Sequence, residues 1–173
     1  MIKKILFIFS VSFLLMSCGS TRNTTTSRRS KPVKKEIKKS KNKPSLSDKI
    51  VWTAVTYKGV PYRYGGTNKN GMDCSGLIHT SFKKRNVALP RTSREMYTKG
   101  YRIPLRAVRR GDLLFFTTAK KKGRVNHVGL VTSAKRGDIK FIHSTSSRGV
   151  IVTSLNEPYW KRAFITAKRV LDE

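Results

Sequence analysis

Gly19 to Pro44 holds ten Lys or Arg against one acid, Glu36, with Ser, Thr and Pro between them and almost nothing apolar. Such a segment cannot bury enough apolar surface to offset the entropy of ordering it. Any globular fold is therefore confined to the residues after it, about Ser45 to Glu173, which is the length of one domain. Fully extended at about 3.3 to 3.6 Å per residue, the basic segment would reach roughly 90 Å. Repulsion among its like charges biases it toward extension, so it reads as a solvated spacer.

Ahead of the spacer, Met1-Ile2-Lys3-Lys4 is a positive start, and the run Ile5 to Met16 is apolar apart from Ser10 and Ser12. A bilayer-spanning helix needs about 20 apolar residues, so this shorter run has the pattern of a secretory leader, residues 1–17, that is removed. Leu15-Met16-Ser17-Cys18 resembles the lipobox of bacterial lipoproteins. That resemblance implies a lipid on Cys18, with residues 18–44 as lipid-bearing tether and residues 45–173 as the working domain. Gly19 in place of an acid after Cys18 resembles lipoproteins sent to an outer membrane, facing the periplasm. Export also changes the meaning of the net charge of +29. Nucleic acid, the usual partner of a basic run, is excluded, and anionic envelope polymers and lipid headgroups take its place. A lipidated Cys18 cannot pair with Cys74, the only other cysteine, which leaves a free thiol in a compartment where disulfides form. Two Cys and three His in no repeated ligand spacing predict neither a metal nor a cofactor.

Within the domain, Ser47 can cap a helix running through Tyr57, with Asp48 in its first turn, Ile50, Val51, Ala54 and Val55 at helical spacing, and a stop at Gly59. A second helix should start at Asp73-Cys74 and run to about Arg85, turning Leu77, Ile78 and Phe82 inward. Thr92 and Glu95 form a capping box for a third, ending at Gly100. After Arg110-Gly111-Asp112 the pattern changes to short strands at 113–116, 127–132, 140–143, 149–154 and 164–170. Helices first and strands after predict an α+β fold, N-terminal helices packed on an antiparallel β-sheet.

Asp73-Cys74-Ser75-Gly76 places Cys74 at the first position of a helix, whose unpaired N–H groups and positive dipole end favour an anion. A thiolate suits that end, and the thiol pKa should fall from about 8.5 toward 6. A nucleophilic Cys needs a base, and the His are His79, His127 and His143. His79 lies about 140° around the helix from Cys74 at 100° per residue, so it reads as a surface or packing residue. His127 opens a strand whose alternation puts Val128 and Leu130 on one face and His127 with Gly129 on the other. Gly129 leaves room there for the Cys-bearing helix. His143 ends the next strand on the side of Phe141, where one imidazole could orient another. Either His could equally be a satisfied core residue.

Six motifs, Tyr62-Arg63-Tyr64-Gly65-Gly66, Asp73-Cys74-Ser75-Gly76-Leu77, Leu89-Pro90-Arg91-Thr92-Ser93, Arg110-Gly111-Asp112-Leu113, His127-Val128-Gly129 and Phe141-Ile142-His143, occur in that order. Together they resemble the NlpC-type cell-wall cysteine endopeptidases over residues 48–170, and among them the small Spr-like lipoproteins. Only the loop Thr67-Asn68-Lys69-Asn70, where many relatives carry a Pro, departs from the pattern. The resemblance implies a papain-like α+β fold with Cys74 as nucleophile, His127 as general base and acid, and His143 orienting His127. It implies that the Tyr64 hydroxyl joins the Cys74 N–H in holding an oxyanion, and that Asp73, Ser75 and Ser93 line the substrate cleft. Local physics explains part of this set without substrate, Asp73 as a helix cap and Ser93 as a residue just inside a capped helix. The implied substrate is the peptide stem of peptidoglycan, cut between D-γ-glutamyl and a diamino acid such as meso-diaminopimelate, by a monomer. The domain's 26 Lys or Arg against 8 Asp or Glu suit a carboxylate-rich polymer. Two rivals are another amidase or acyltransferase on the same triad, and a non-catalytic lipoprotein that binds envelope polymers.

Overall fold

The computed structural model describes residues 43–118 and 123–172. The expected leader, Cys18 and nearly all of the tether lie outside the described residues.

Helix α1 (Leu46–Val55) is capped by Ser45, whose extended backbone lets its Oγ accept the Asp48 N–H at 3.0 Å. Ser47, the expected cap, lies two residues too late: it is already inside the first turn, with its Oγ 2.9 Å from that of Ser45. A two-residue ribbon, β1 (Thr67–Asn68) with β2 (Gly71–Met72), leads directly into α2 (Cys74–Lys83), capped by Asp73. Helix α3 (Ser93–Met96) carries the complete Thr92/Glu95 capping box and ends sooner than the Gly100 stop.

Six further strands follow: β3 (Tyr101–Ile103), β4 (Leu113–Phe116), β5 (His127–Lys135), β6 (Asp138–Thr145), β7 (Gly149–Ser154) and β8 (Phe164–Arg169). They form one sheet in the order β3-β8-β4-β5-β6-β7, and every neighbouring pair is antiparallel. The short helix α4 (Pro158–Ala163) precedes β8. Sequence patterning does not reveal α4 or β3, because six and three residues are too few to establish a period. Pro158 at the start of α4 is their one local signal.

Both faces of the sheet are covered, which explains the unbroken apolar run Leu113–Phe116. Leu113 and Phe115 meet Val128, Leu130, Ile142 and the inward side chains of α1 and α2 on one face. On the other, Leu114 and Phe116 pack with Phe141, Ala167 and Trp160 of α4. This division corrects the expectation about Gly129. A Cβ built there would lie 2.4 Å from Cδ2 of Phe141, so the missing side chain makes room for that ring. The Cys-bearing helix packs on the opposite face, against Val128 and Leu130.

Candidate active site

Asp73 fixes the start of α2. Its Oδ1 accepts the Gly76 N–H at 2.6 Å and the Ser75 hydroxyl at 3.1 Å, and its Oδ2 accepts the Gly65 N–H at 2.8 Å. Arg91 adds a two-pronged ion pair, Nη1 to Oδ1 at 3.0 Å and Nη2 to Oδ2 at 2.7 Å. Burial pushes the carboxyl pKa up, but the bonds from Arg91 and Gly76 outweigh it and hold Asp73 below the usual carboxylate range. Both Asp73 oxygens are thus engaged inside the protein, as a helix cap requires. Gly76 allows the helix to seat this closely, since a Cβ there would lie 2.0 Å from the Gly66 carbonyl oxygen.

Cys74 is partly buried at the first turn of α2. The backbone N–H groups of Val128, Ser75 and Cys74 itself lower its pKa, as a helix N-terminus should, but burial is the larger effect and the charge of Asp73 adds to it, so the thiol pKa is raised overall. The expected drop in the resting thiol pKa is therefore not what the site produces. Desolvation penalises the thiolate more than the N–H groups favour it.

His127 is buried with its ring stacked on Trp160, centroids 5.3 Å apart and planes 26° apart. Its Nε2 lies 2.9 Å from Nδ1 of His143, and Nε2 of His143 lies 2.9 Å from the Thr153 hydroxyl. The hydrogen-bonded row His127, His143, Thr153 runs across three adjacent strands. It commits Nε2 of His127 and leaves Nδ1 as the nitrogen not used in the row. Burial depresses the His127 pKa to about 4 and that of His143 to about 2, where the charges of His127 and Arg148 contribute as well. At neutral pH both rings are uncharged.

Two clefts meet at the sulfur. One, of about 480 Å³, is lined by Cys74, His127, Asn126, Trp160 and the loop between β6 and β7. The other, of about 410 Å³, is lined by Cys74, Asp73, Ser75, Ser93, Arg91 and Tyr64. Tyr62 and Asn126 border both, so Cys74 stands midway along one groove.

The fold thus brings Cys74 and His127 to one cleft, with His143 behind His127, and gathers Asp73, Ser75, Ser93 and Tyr64 along the other. Tyr64 needs a correction. It is 89% exposed and touches only the second cleft, whereas Tyr62, 36% exposed, borders both. The Tyr62 pKa is raised by burial and next by the charge of Cys74, so Tyr62 is the tyrosine beside the sulfur. A parallel bridge from Tyr62 to Met72, two residues before Cys74, puts it there. Tyr62 and Tyr64 stand two apart in one motif, and the sequence holds no signal that chooses between them. His79 packs as expected, its Nδ1 2.8 Å from the Leu89 carbonyl oxygen. Arg91, Thr153, Trp160 and Asn126 escaped sequence reasoning. Arg91 lies within a motif, but its pairing with Asp73 spans 18 residues and has no local mark. Among the described residues, no group of three or more His, Cys, Asp or Glu is placed to hold a metal ion.

An antiparallel sheet with a cysteine-bearing helix on one face, one strand-borne imidazole in the cleft of the sulfur and a second hydrogen-bonded behind it defines the papain-like α+β class. The chain belongs to the NlpC/P60 family, whose model matches residues 59–169. A solved NlpC/P60 family protein from Bacillus cereus is similar with a TM-score of 0.67 and 32% identity, over 75% of this chain and 41% of that one. The Escherichia coli murein DD-endopeptidase MepS/murein LD-carboxypeptidase is 41% identical over 127 residues, 73% of this chain and 64% of the relative's length. The Bacillus subtilis gamma-DL-glutamyl hydrolase is 38% identical over 126 residues, 72% of this chain and 30% of the relative. The chain thus spans less than two thirds of the length of either relative.

Proposed function

We propose that this protein is a peptidoglycan hydrolase, a cysteine endopeptidase that cuts stem peptides with Cys74 as nucleophile, His127 as base and acid, and His143 as the group that orients His127. The observation that carries the reading is the hydrogen-bonded row from Thr153 through His143 to His127, ending in the cleft that Cys74 also lines. A row that fixes one ring nitrogen and spares the other suits a proton shuttle better than a core histidine, whose nitrogens would both be satisfied.

The thiol proton passes from Sγ to Nδ1 of His127, and the sulfur attacks the scissile carbonyl carbon. The oxyanion receives hydrogen bonds from the Cys74 N–H and the Tyr62 hydroxyl. As the C–N bond breaks, the proton on His127 goes to the departing amine, leaving a thioester. Water, deprotonated by His127, attacks that thioester; the C–S bond breaks, the product leaves as the carboxylic acid, and the sulfur takes the proton back. Burial keeps both partners neutral at rest, so the ion pair forms only as the proton moves. Asp73 positions the sulfur by capping α2, and Ser75 and Ser93 bind substrate along the second cleft.

The bond we assign lies between D-γ-glutamyl and a diamino acid, in keeping with the name of the B. subtilis relative; the E. coli relative's name specifies a DD bond. The reading includes the secretory leader 1–17, the lipid on Cys18 and the basic tether, which hold the enzyme in the envelope at a membrane surface, facing an anionic wall. Digestion of purified muropeptides followed by mass analysis tests it. Wild type should release fragments ending in D-glutamate, and Cys74→Ala should release none. An unchanged muropeptide profile with wild type, or hydrolysis that persists in Cys74→Ala, refutes it.

A further inference from the structure

The reaction as written uses the second cleft and the sulfur but assigns nothing to the larger cleft beyond His127 and the shared Tyr62. That cleft carries one group of each charge, Arg148 and Glu157, with Tyr159 and Trp160 on its wall. Among the described residues neither charge belongs to an ion pair, and Glu157 makes no side-chain bond to α4 although it stands at that helix's cap position.

The placement of Arg148 is tightly built. It ends a three-residue loop between Thr145 and Gly149, which pair across β6 and β7. Its N–H donates to Thr145 Oγ1 at 3.1 Å. Gly149 takes φ +61 with a Cβ position only 2.2 Å from the Val60 carbonyl oxygen, so the loop tolerates no side chain there. One residue before Thr145, the Ser144 hydroxyl donates to the Met72 carbonyl at 2.7 Å, tying this hairpin to the segment that leads into Cys74. Arg148 lines the same cleft as His127, and its charge contributes to the lowered pKa of His143. Arg148 and Glu157 are both exposed to the cleft, and two opposite charges held there without an ion-pair partner among the described residues fit a ligand that carries both signs.

We infer that this cleft receives the departing half of the substrate and reads the far end of its diamino acid, Arg148 binding the distal carboxylate and Glu157 the distal ammonium. This rests on the proposed hydrolysis for its direction, since the cleft lined by His127 lies where the amine is protonated. It goes further in naming a selectivity. A diaminopimelate side chain presents both charges, and a lysine side chain presents only the ammonium.

Two stem peptides that differ only in meso-diaminopimelate or Lys after D-γ-glutamyl test this in the full-length protein. The wild type should favour the diaminopimelate peptide by at least about tenfold in kcat/KM, the scale of one charge-assisted hydrogen bond. In Arg148→Gln that ratio should fall close to one. Binding is measured separately, with free meso-diaminopimelate titrated against Cys74→Ala and against Cys74→Ala/Arg148→Gln by NMR shift changes. Its Kd should weaken about tenfold or more with the second change. Glu157→Gln should weaken diaminopimelate but not its distal N-acetyl derivative. If neither peptide is cut yet diaminopimelate binding still depends on Arg148, the hydrolysis reading fails and with it the departing-half assignment, while the reading of the diamino acid by Arg148 stands. If Arg148→Gln lowers both peptides equally, or leaves diaminopimelate binding unmoved, the inference is overturned.

Discussion

Replacing Gly129 by Ala tests which face of the sheet this glycine serves. In most strands the change would be mildly stabilising, by about 0.4–1 kcal/mol, because Ala restricts the unfolded chain. Here the new methyl would lie 2.4 Å from Cδ2 and 3.2 Å from Cε2 of Phe141, a ring with no exposed surface. That ring is stacked on Phe116 at 5.0 Å and meets His143 at 4.6 Å, so it has nowhere to retreat without displacing the histidine row. Overpacking of this kind costs about 1–3 kcal/mol. For a folded unit of about 130 residues, with an unfolding entropy near 2.1 cal/mol/K per residue, each kcal/mol shifts Tm by about 4 °C. Gly129→Ala should therefore lower Tm by roughly 4–11 °C and shift the urea midpoint without changing its slope. Adding Phe141→Leu should recover part of the loss that the two single changes predict when summed. A stabilised or unmoved Gly129→Ala would refute the packing argument and reopen the placement of α2 on that face.

Tyr62→Phe should cut kcat by about a hundredfold, as loss of one oxyanion donor does, with little change in KM, while Tyr64→Phe should change kcat by less than about threefold. Equal effects would undo the choice between them. Thr153→Val leaves a buried His143 nitrogen without its partner and should cost about 1–3 kcal/mol of stability along with a lower kcat; a variant that loses neither would show that the row ends at His143. The depressed imidazole pKa values also set a pH dependence. Unfolded His takes up protons near pH 6.5, whereas folded His127 waits until about pH 4 and His143 until about 2. Between those values the unfolded state binds more protons, so stability is complete above about pH 6.5 and falls as pH drops, by up to roughly 2.7 kcal/mol per pH unit for two groups. Urea midpoints of the wild type and of His143→Gln from pH 7 to 5 check this; a slope that His143→Gln does not reduce would show that the ring is not held neutral by burial.

Features made by neighbours in the chain were legible before any coordinates. Asp73 caps α2 through an N–H three residues on, and Thr92 with Glu95 closes a box within one turn. The strand at 113–116 and the ordered motifs carrying Cys74, His127 and His143 are local in the same way. Tertiary structure decided what depends on residues far apart. It chose Tyr62 over Tyr64 through a bridge to Met72, gave Gly129 to Phe141 instead of to the helix, and brought Arg91 across 18 residues to Asp73. It also reversed the expected shift of the Cys74 thiol. The helix N-terminus that favours a thiolate is written in four consecutive residues, but the desolvation that outweighs it comes from whatever the whole fold packs around the sulfur.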